Sequence, residues 1–184
     1  MAAFGPDGQL CAVSKEGQQL VLRRSGDDGA SWSAPLAVNA TPEPIAADGD
    51  SQPKLAFNRD GDLLVSWTRP LSRPYTGEIR LARLPRGAAA FAEPITVHQD
   101  RAEITHRFQN LIADPAGRIT ALWIDKRDQV AASAAKKPWR GAGIYAAVSE
   151  DGGRTFKPEK KVADYSCECC RIGLALDRDA APVA

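Results

Sequence analysis

Short apolar segments alternate with polar turns along the whole chain. Four pairs of such segments are joined by turns that contain Asp and, in most cases, Gly. They start at residues 4, 57, 113 and 176 and read FGPDGQLCAV, FNRDGDLLVSW, ADPAGRITALW and LDRDAAPVA. Because an Asp-Gly turn between two alternating segments is a strong hairpin signal, the pattern predicts an all-β chain in which antiparallel hairpins recur.

Two further apolar segments follow each of the first three hairpins. The first of the two covers residues 19–23, 78–83 or 144–148, and the second ends near Val38, Val97 or Val162. The repeated unit is therefore strand, turn, strand, loop, strand, turn, strand, over roughly 50 to 60 residues. Four antiparallel strands per repeat are typical of a β-propeller blade.

This repeat predicts a single partial propeller domain over residues 1–184. We expect blades at about 1–40, 51–99 and 106–163, and the start of a fourth blade at about 166–184. Propellers close with typically four to eight blades, so we expect the chain to be a piece of a longer protein. Unpaired strand edges promote association, and we expect the isolated chain to self-associate.

Two turns between the third and fourth strands share an eight-residue pattern. Residues 25–32 read SGDDGASW and residues 149–156 read SEDGGRTF, while a third copy near Phe91 has lost its Ser and Asp. Ser and Asp side chains close tight turns by hydrogen bonding to nearby backbone N–H groups. An EF-hand calcium loop is excluded, because neither stretch has alternating ligands over about twelve residues and a terminal Glu. We assign a structural role to Ser25, Asp27, Gly29, Ser31, Trp32, Ser149, Asp151, Gly153, Thr155 and Phe156.

The pattern S-x-D-x-G-x-[ST]-[WF] resembles the Asp-box, or BNR repeat, of the sialidase superfamily. The resemblance covers essentially the whole chain as a fold. It implies an all-β, sialidase-like β-propeller fragment of about three and a half four-stranded antiparallel blades. It also implies a glycoside hydrolase that acts on acidic sugars, with a carbohydrate or glycoconjugate as its partner. A non-catalytic propeller that binds glycan, protein or metal through the same face is the alternative, because a fold does not confer an activity.

Strand order predicts which face of the propeller carries function. In a four-stranded meander, the two hairpin turns with Asp share one face, and the 2–3 loops and inter-blade links share the other. The second set, which we call the loop face, is longer and more irregular, and function concentrates on such loops. Its segments are residues 39–53, 68–77, 98–107, 125–143 and 164–171.

The loop face is predicted to collect arginines and one well-placed carboxylate. Sialidases bind the carboxylate of their substrate with a set of arginines and protonate the leaving group with an Asp. Arginine suits this task because its planar fork grips a carboxylate with two parallel bonds. The candidate substrate-binding residues are Arg69, Arg107, Arg127 and Arg171, and the candidate catalytic residue is Asp125.

The sequence also departs from the sialidase pattern. It has no [FY]-R-I-P stretch, and the nearest match is Cys170-Arg171-Ile172-Gly173, without the Pro. Tyr75 and Tyr165 fall on the predicted loop face but match no motif of a nucleophilic tyrosine. The candidate residues therefore depend on their predicted placement and not on a transferred motif.

Three cysteines fall within four positions, at Cys167, Cys169 and Cys170, and the fourth, Cys11, is expected in the core. A zinc site usually shows two separated ligand pairs, and the chain has only two histidines. We expect a local disulfide or a thiol cluster rather than an obligatory metal site. Soft ligation of copper(I) or zinc remains the alternative.

Composition adds mainly exclusions. The chain is 43% hydrophobic and 26% charged with a net charge of +1, so we expect an ordinary globular protein and neither a nucleic acid nor an anionic membrane as partner. No run of 18 apolar residues is present, hence no transmembrane helix is expected, and no cofactor is expected. Residues 1–10 lack the basic start and apolar core of a signal peptide. We expect an extracytoplasmic location only if a leader precedes Met1.

Overall fold

The computed structural model describes residues 1–47, 49 and 51–184. It contains three four-stranded antiparallel sheets and a two-stranded sheet, and in each of them neighbouring strands follow chain order. The first sheet comprises β1 (Ala2–Phe4), β2 (Leu10–Glu16), β3 (Gln19–Ser25) and β4 (Leu36–Ala37). The second comprises β5 (Lys54–Phe57), β6 (Leu63–Pro70), β7 (Gly77–Leu84) and β8 (Ile95–Thr96).

The third sheet comprises β9 (His106–Ala113), β10 (Ile119–Asp125), β11 (Ala142–Ser149) and β12 (Lys160–Ser166). The last hairpin comprises β13 (Ala175–Leu176) and β14 (Pro182–Val183). One helix, α1 (Arg127–Ala134), lies between β10 and β11. The predicted all-β class and the predicted order of four-stranded sheets are confirmed.

The sheets pack face to face around two apolar cores. Because successive residues of a strand point to opposite faces, Leu63 and Trp67 of β6 enter the core shared with the first sheet, while Leu64 enters the core shared with the third. Residues 63–68 of β6 are all buried as a result. The first strands face one another, since β1 contacts β5 and β5 contacts β9.

The turn at 149–156 is closed by side-chain hydrogen bonds. Ser149 Oγ accepts a bond from the N–H of Gly153 at 2.9 Å and donates to Asp151 Oδ1 at 2.8 Å. Asp151 also accepts from the N–H and the hydroxyl of Thr155, at 2.9 and 2.5 Å. A Cβ on Gly153, which has φ +90°, would lie 2.9 Å from Leu64 Cδ2. The position therefore needs glycine for both its backbone conformation and its packing.

The turn at 25–32 repeats this hydrogen-bond pattern. Gly29 N–H donates to Ser25 Oγ at 2.8 Å, and Asp27 accepts from the N–H and hydroxyl of Ser31 at 2.8 and 2.6 Å. The two aromatic residues differ, because Phe156 packs against the second core whereas Trp32 is 42% exposed.

Two segments differ in detail from the sequence expectation. The predicted loop at 125–143 contains α1, whose residues 127–134 hold neither Gly nor Pro and include three alanines. Strand β12 continues to Ser166, past the expected end near Val162. Residues 48 and 50 of the predicted 39–53 loop lie outside the described residues.

Within the part of the chain that the structure describes, no helix is long and apolar enough to cross a membrane.

Candidate functional site

The loop face is built where β6 and β10 end and β9 begins. Backbone and side-chain bonds join the segments that meet there. Gly77 N–H donates to the carbonyl of Ile104 at 3.0 Å, and the hydroxyl of Thr105 donates to the carbonyl of Tyr75 at 2.8 Å. Lys126 N–H donates to the carbonyl of Thr105 at 3.2 Å. These bonds hold the loops of the second and third sheets together.

Asp125, the candidate catalytic carboxylate, is fully buried at the end of β10. Its oxygens accept hydrogen bonds from Arg127 Nε at 3.1 Å, from a terminal nitrogen of the Arg127 guanidinium at 2.7 Å, and from Trp123 Nε1 at 2.9 Å. Asp125 and Arg127 thus form an ion pair with two hydrogen bonds between the carboxylate and the guanidinium. The negative charge of Asp125 is therefore balanced by a residue of the protein itself.

Arg127 contacts two more carboxylates and an aromatic ring. Its guanidinium lies 2.9 Å from Glu159 Oε1 and 3.5 Å from Asp100 Oδ2, and it stacks over the Tyr145 ring at 4.1 Å. Burial lowers the pKa of Arg127, but the carboxylates of Asp125 and Glu159 outweigh it and raise the pKa overall. Arg127 therefore anchors the start of α1 to the third sheet.

Two histidines stack directly beneath this ion-pair network. The rings of His98 and His106 lie 4.0 Å apart, and both are buried. Burial, followed by the charge of His106, lowers the pKa of His98 to about 4, so the ring is neutral and its Nε2 accepts the Ile79 N–H at 3.1 Å. His106 Nδ1 lies 2.9 Å from the carbonyl of Gly77, which assigns the proton to Nδ1.

His106 Nε2 faces two carboxylates, 3.6 Å from Asp125 Oδ2 and 3.8 Å from Asp100 Oδ2. One nitrogen and two carboxylate oxygens within 4.8 Å form a donor set that suits a divalent cation. The guanidinium of Arg127 already contacts both carboxylates. A metal cation bound there would be repelled by the positive charge of this guanidinium. We therefore interpret the cluster as an ion-pair network.

Arg69, at the end of β6, also pairs with carboxylates. It contacts Glu78 at 2.6 Å and Glu43 at 3.5 Å. Glu43 in turn accepts the indole N–H of Trp67 at 2.8 Å and lies 3.6 Å from Arg80. Arg69 follows the buried Trp67 of β6 by two residues, just as Asp125 follows the buried Trp123 of β10. Each of the two charged side chains is paired with residues of opposite charge.

Arg107 and Arg171 both contact the ring of Phe108. Their guanidinium carbons lie 4.7 and 4.4 Å from the ring centre of Phe108, and Arg107 also lies 5.8 Å from that of Tyr75. Arg107 is half-buried and Arg171 is exposed. A cleft of 270 Å³ beside Arg107 is lined by Tyr75, Ser72 and other residues of the 70–76 loop.

Both aromatic residues at this mouth have left-handed backbone conformations. Phe108 has φ +57° and Tyr75 has φ +64°, and Tyr75 is 75% exposed. Positive φ is rare for bulky residues and costs on the order of 1–3 kcal/mol, and such strain clusters at functional sites. The Arg107, Phe108, Arg171 and Tyr75 side chains are called the aromatic-arginine mouth below.

The cysteine cluster lies next to this mouth. Cys167, Cys169 and Cys170 are exposed free thiols, whereas Cys11 is buried in the first core as expected. Arg171 joins the two features, because its guanidinium donates to the carbonyl of Cys169 while stacking on Phe108.

Sequence reasoning missed Phe108 and the half-buried carboxylates of Glu43, Asp100 and Glu159. One signal was available in the repeat. Val38-Asn39 and Val97-His98 occupy equivalent positions, and both polar side chains accept a backbone N–H, Leu20 to Asn39 Oδ1 at 2.8 Å and Ile79 to His98 Nε2. The alignment of these pairs marks His98 as a packed structural group.

No protein-family model matches the sequence, and no curated protein matches it. Solved structures do match. An α-L-arabinanase of Penicillium chrysogenum, solved with arabinobiose, aligns over 89% of this chain with a TM-score of 0.60 and 16% identity. The match covers 48% of the arabinanase chain.

Two further matches extend the same picture. A PL25 ulvan lyase, also solved bound to -[GlcA(1-4)Rha3S]-, aligns over 96% of this chain and 38% of its own, with a TM-score of 0.55 and 11% identity. A mutant of the NanB sialidase from Streptococcus pneumoniae aligns over 97% of this chain and 25% of its own, with a TM-score of 0.57 and 10% identity. The chain thus has the fold of part of these propeller structures and spans less than half the length of each of them.

Proposed function

We propose that the chain belongs to a glycoside-cleaving propeller whose loop face binds an acidic saccharide through Arg107 and Arg171. The observation that carries the proposal is the aromatic-arginine mouth, in which both guanidinium groups lie within 5 Å of the Phe108 ring centre. A guanidinium offers its planar fork to a carboxylate while its flat face rests on an aromatic ring. The mouth can thus hold an anionic group in a fixed orientation.

The aromatic residues give the mouth a surface for the sugar itself. Tyr75 is exposed beside Arg107, and its ring combines an apolar face with a polar hydroxyl. Ligand sites are usually lined by such aromatic surfaces and a few placed polar groups. The strained backbone at Phe108 and Tyr75 supports a functional rather than a purely structural role.

The relationship to solved structures supports the saccharide class. The matched arabinanase was solved with arabinobiose, and the matched ulvan lyase with a repeat that contains GlcA, an acidic sugar. The identities are 16% and 11%, so these structures support a carbohydrate ligand only as a class. The acidic character of the ligand is inferred from the two arginines of this chain.

A non-catalytic saccharide-binding propeller is the second candidate. The observation in its favour is the state of Asp125, which is fully buried and hydrogen bonded to Trp123 and Arg127. A general acid must come within hydrogen-bond reach of the leaving group. Measuring sugar release alongside binding separates the two candidates.

The test is calorimetric titration of the protein with sialic acid, glucuronic acid and, as a neutral counterpart, glucose. We expect the acidic sugars to bind and glucose to bind more weakly. Arg107→Ala and Arg171→Ala should each weaken acidic-sugar binding by roughly 10- to 100-fold, since a hydrogen bond to a charged group contributes about 1.5–3 kcal/mol.

Arg178→Ala is the control, because this arginine is 94% exposed and lies in the β13–β14 turn on the opposite face. Thermal unfolding of each variant checks that it is folded. If wild type binds no acidic sugar at millimolar concentration, or if Arg178→Ala weakens binding as much as Arg107→Ala, the proposal is wrong. Binding without release of sugar from glycosides would favour the non-catalytic candidate.

A further inference from the structure

The three clustered cysteines bring their sulfur atoms together on the loop face. The Sγ atoms of Cys167, Cys169 and Cys170 all lie within 4.8 Å of one another, and those of Cys167 and Cys169 are 3.3 Å apart. A disulfide bond is about 2.05 Å long, so these are neighbouring thiols. Their convergence was not predictable from the spacing alone.

We propose that Cys167, Cys169 and Cys170 bind one copper(I) ion through three sulfur ligands. Thiolates are soft donors that select copper(I), zinc or iron–sulfur clusters. Metal–sulfur bonds of about 2.3 Å place two ligands of one ion roughly 4 Å apart. The observed separations of the three sulfurs are compatible with this geometry without a change of fold.

The number of donors distinguishes a copper(I) site from a closed structural zinc site. A structural zinc site takes four protein ligands, usually in two separated pairs. In the described part of the chain, no His, Asp or Glu joins the three sulfurs within ligand distance. Three sulfurs complete a trigonal copper(I) site, whereas they leave a zinc site one protein ligand short.

A metal-bound cysteine is a thiolate, so the capture of copper(I) releases the protons of the three thiols to solvent.

Positive side chains next to the cluster offset the charge of three thiolates. The Arg171 guanidinium donates to the carbonyl of Cys169, and Arg140 lines a cleft with Cys167 and Glu168. All three cysteine residues are exposed, so an ion held there can be passed to another ligand. The site therefore suits reversible acquisition or transfer of copper(I) rather than a structural role.

The test is competition for copper(I) against a colorimetric chelator, under anaerobic reducing conditions, with the thiols first confirmed as free. We expect one copper(I) per chain, with three sulfur neighbours by X-ray absorption spectroscopy. Cys167→Ser, Cys169→Ser and Cys170→Ser should each abolish stoichiometric binding, because each removes one of the three soft donors. Cys11→Ala, which removes the buried cysteine of β2, is the matched control and should retain stoichiometric binding.

Three results would overturn the copper site. The first is failure to compete with the chelator, and the second is retained binding in any one of the three serine variants. The third is tighter retention of zinc than of copper(I) by the wild-type protein, with four ligands at the zinc. Circular dichroism of the serine variants, whose substitutions are at exposed positions, shows that lost binding does not reflect unfolding.

Discussion

The fully buried carboxylate of Asp125 accepts two hydrogen bonds from the Arg127 guanidinium, of 3.1 and 2.7 Å, and a third from the Arg127 backbone N–H at 2.9 Å. Asp125→Asn removes the charge from bonds to Arg127 and Trp123, while Glu159 and Asp100 still compensate the guanidinium. Because a hydrogen bond to a charged group contributes about 1.5–3 kcal/mol, we expect the free energy of unfolding, measured by urea denaturation, to fall by about that amount.

Asp179→Asn is the control for this prediction, because Asp179 is 81% exposed and should leave stability unchanged. An Asp125→Asn variant that lost activity while keeping wild-type stability would instead show that the carboxylate acts on a substrate. That result would restore the catalytic role that its position on the loop face suggests.

The 149–156 turn gives a second stability prediction. Asp151→Ala removes the acceptor for Ser149, Arg154 and Thr155, and we expect the free energy of unfolding to fall by about 1–2 kcal/mol. Glu150→Ala is the matched control, since Glu150 is the adjacent residue and its side chain is 56% exposed. Sugar binding by the folded Asp151→Ala protein should equal that of wild type. A loss of binding at unchanged melting temperature would show that the ligand binds at the face of the Asp-containing turns and not at the loop face.

Glu159 should make stability depend on pH in the acid range. Burial raises the pKa of this carboxyl, but N–H donors of Gln99 and Asp100 and the guanidinium of Arg127 outweigh it and hold the pKa at about 2. Its contribution is therefore fully present above about pH 4.5, the ordinary value, and is lost as the pH falls toward 2.

The measurement is the urea midpoint of wild type and Glu159→Gln between pH 5 and pH 2, roughly the window set by the two pKa values. The wild-type midpoint should fall more steeply than that of the variant. Asp27 and Asp151, whose pKa values are also about 2, contribute to the slope that remains, as do other carboxyls with lowered pKa values, such as Asp62 and Asp114. Parallel curves for the two proteins would contradict the assigned role of Glu159.

Cys167 should be the most reactive thiol of the chain. With a pKa of about 7 it is partly ionised at neutral pH, whereas the pKa of Cys170 is about 11 and burial raises that of Cys11. Because the thiolate is the nucleophile, iodoacetamide at pH 7 should label Cys167 before Cys170 and leave Cys11 unlabelled until unfolding. Mass spectrometry of the peptides over time measures the order. Equal rates at Cys167 and Cys170 would show that the thiols do not interact.

The sequence by itself determined the strand order and the turns. Asp-Gly turns such as Asp60-Gly61 and the repeated 25–32 and 149–156 stretches depend on local chemistry, namely positive φ at Gly and side-chain bonds to nearby N–H groups. Local rules act over a few residues, so these features were readable without a fold.

Only the tertiary structure decided what each arginine does. Arg127 and Arg107 are the same residue type on the same face, and no local pattern separates them. Arg127 meets Glu159, which is 32 positions away along the chain, and Arg107 meets Tyr75, also 32 positions away. Charge balance depends on atoms within a few ångströms in space, and those neighbours lie far away along the chain. The same reason applies to the cysteines, whose spacing allowed a disulfide, free thiols or a metal site until backbone geometry set the directions of the three sulfurs.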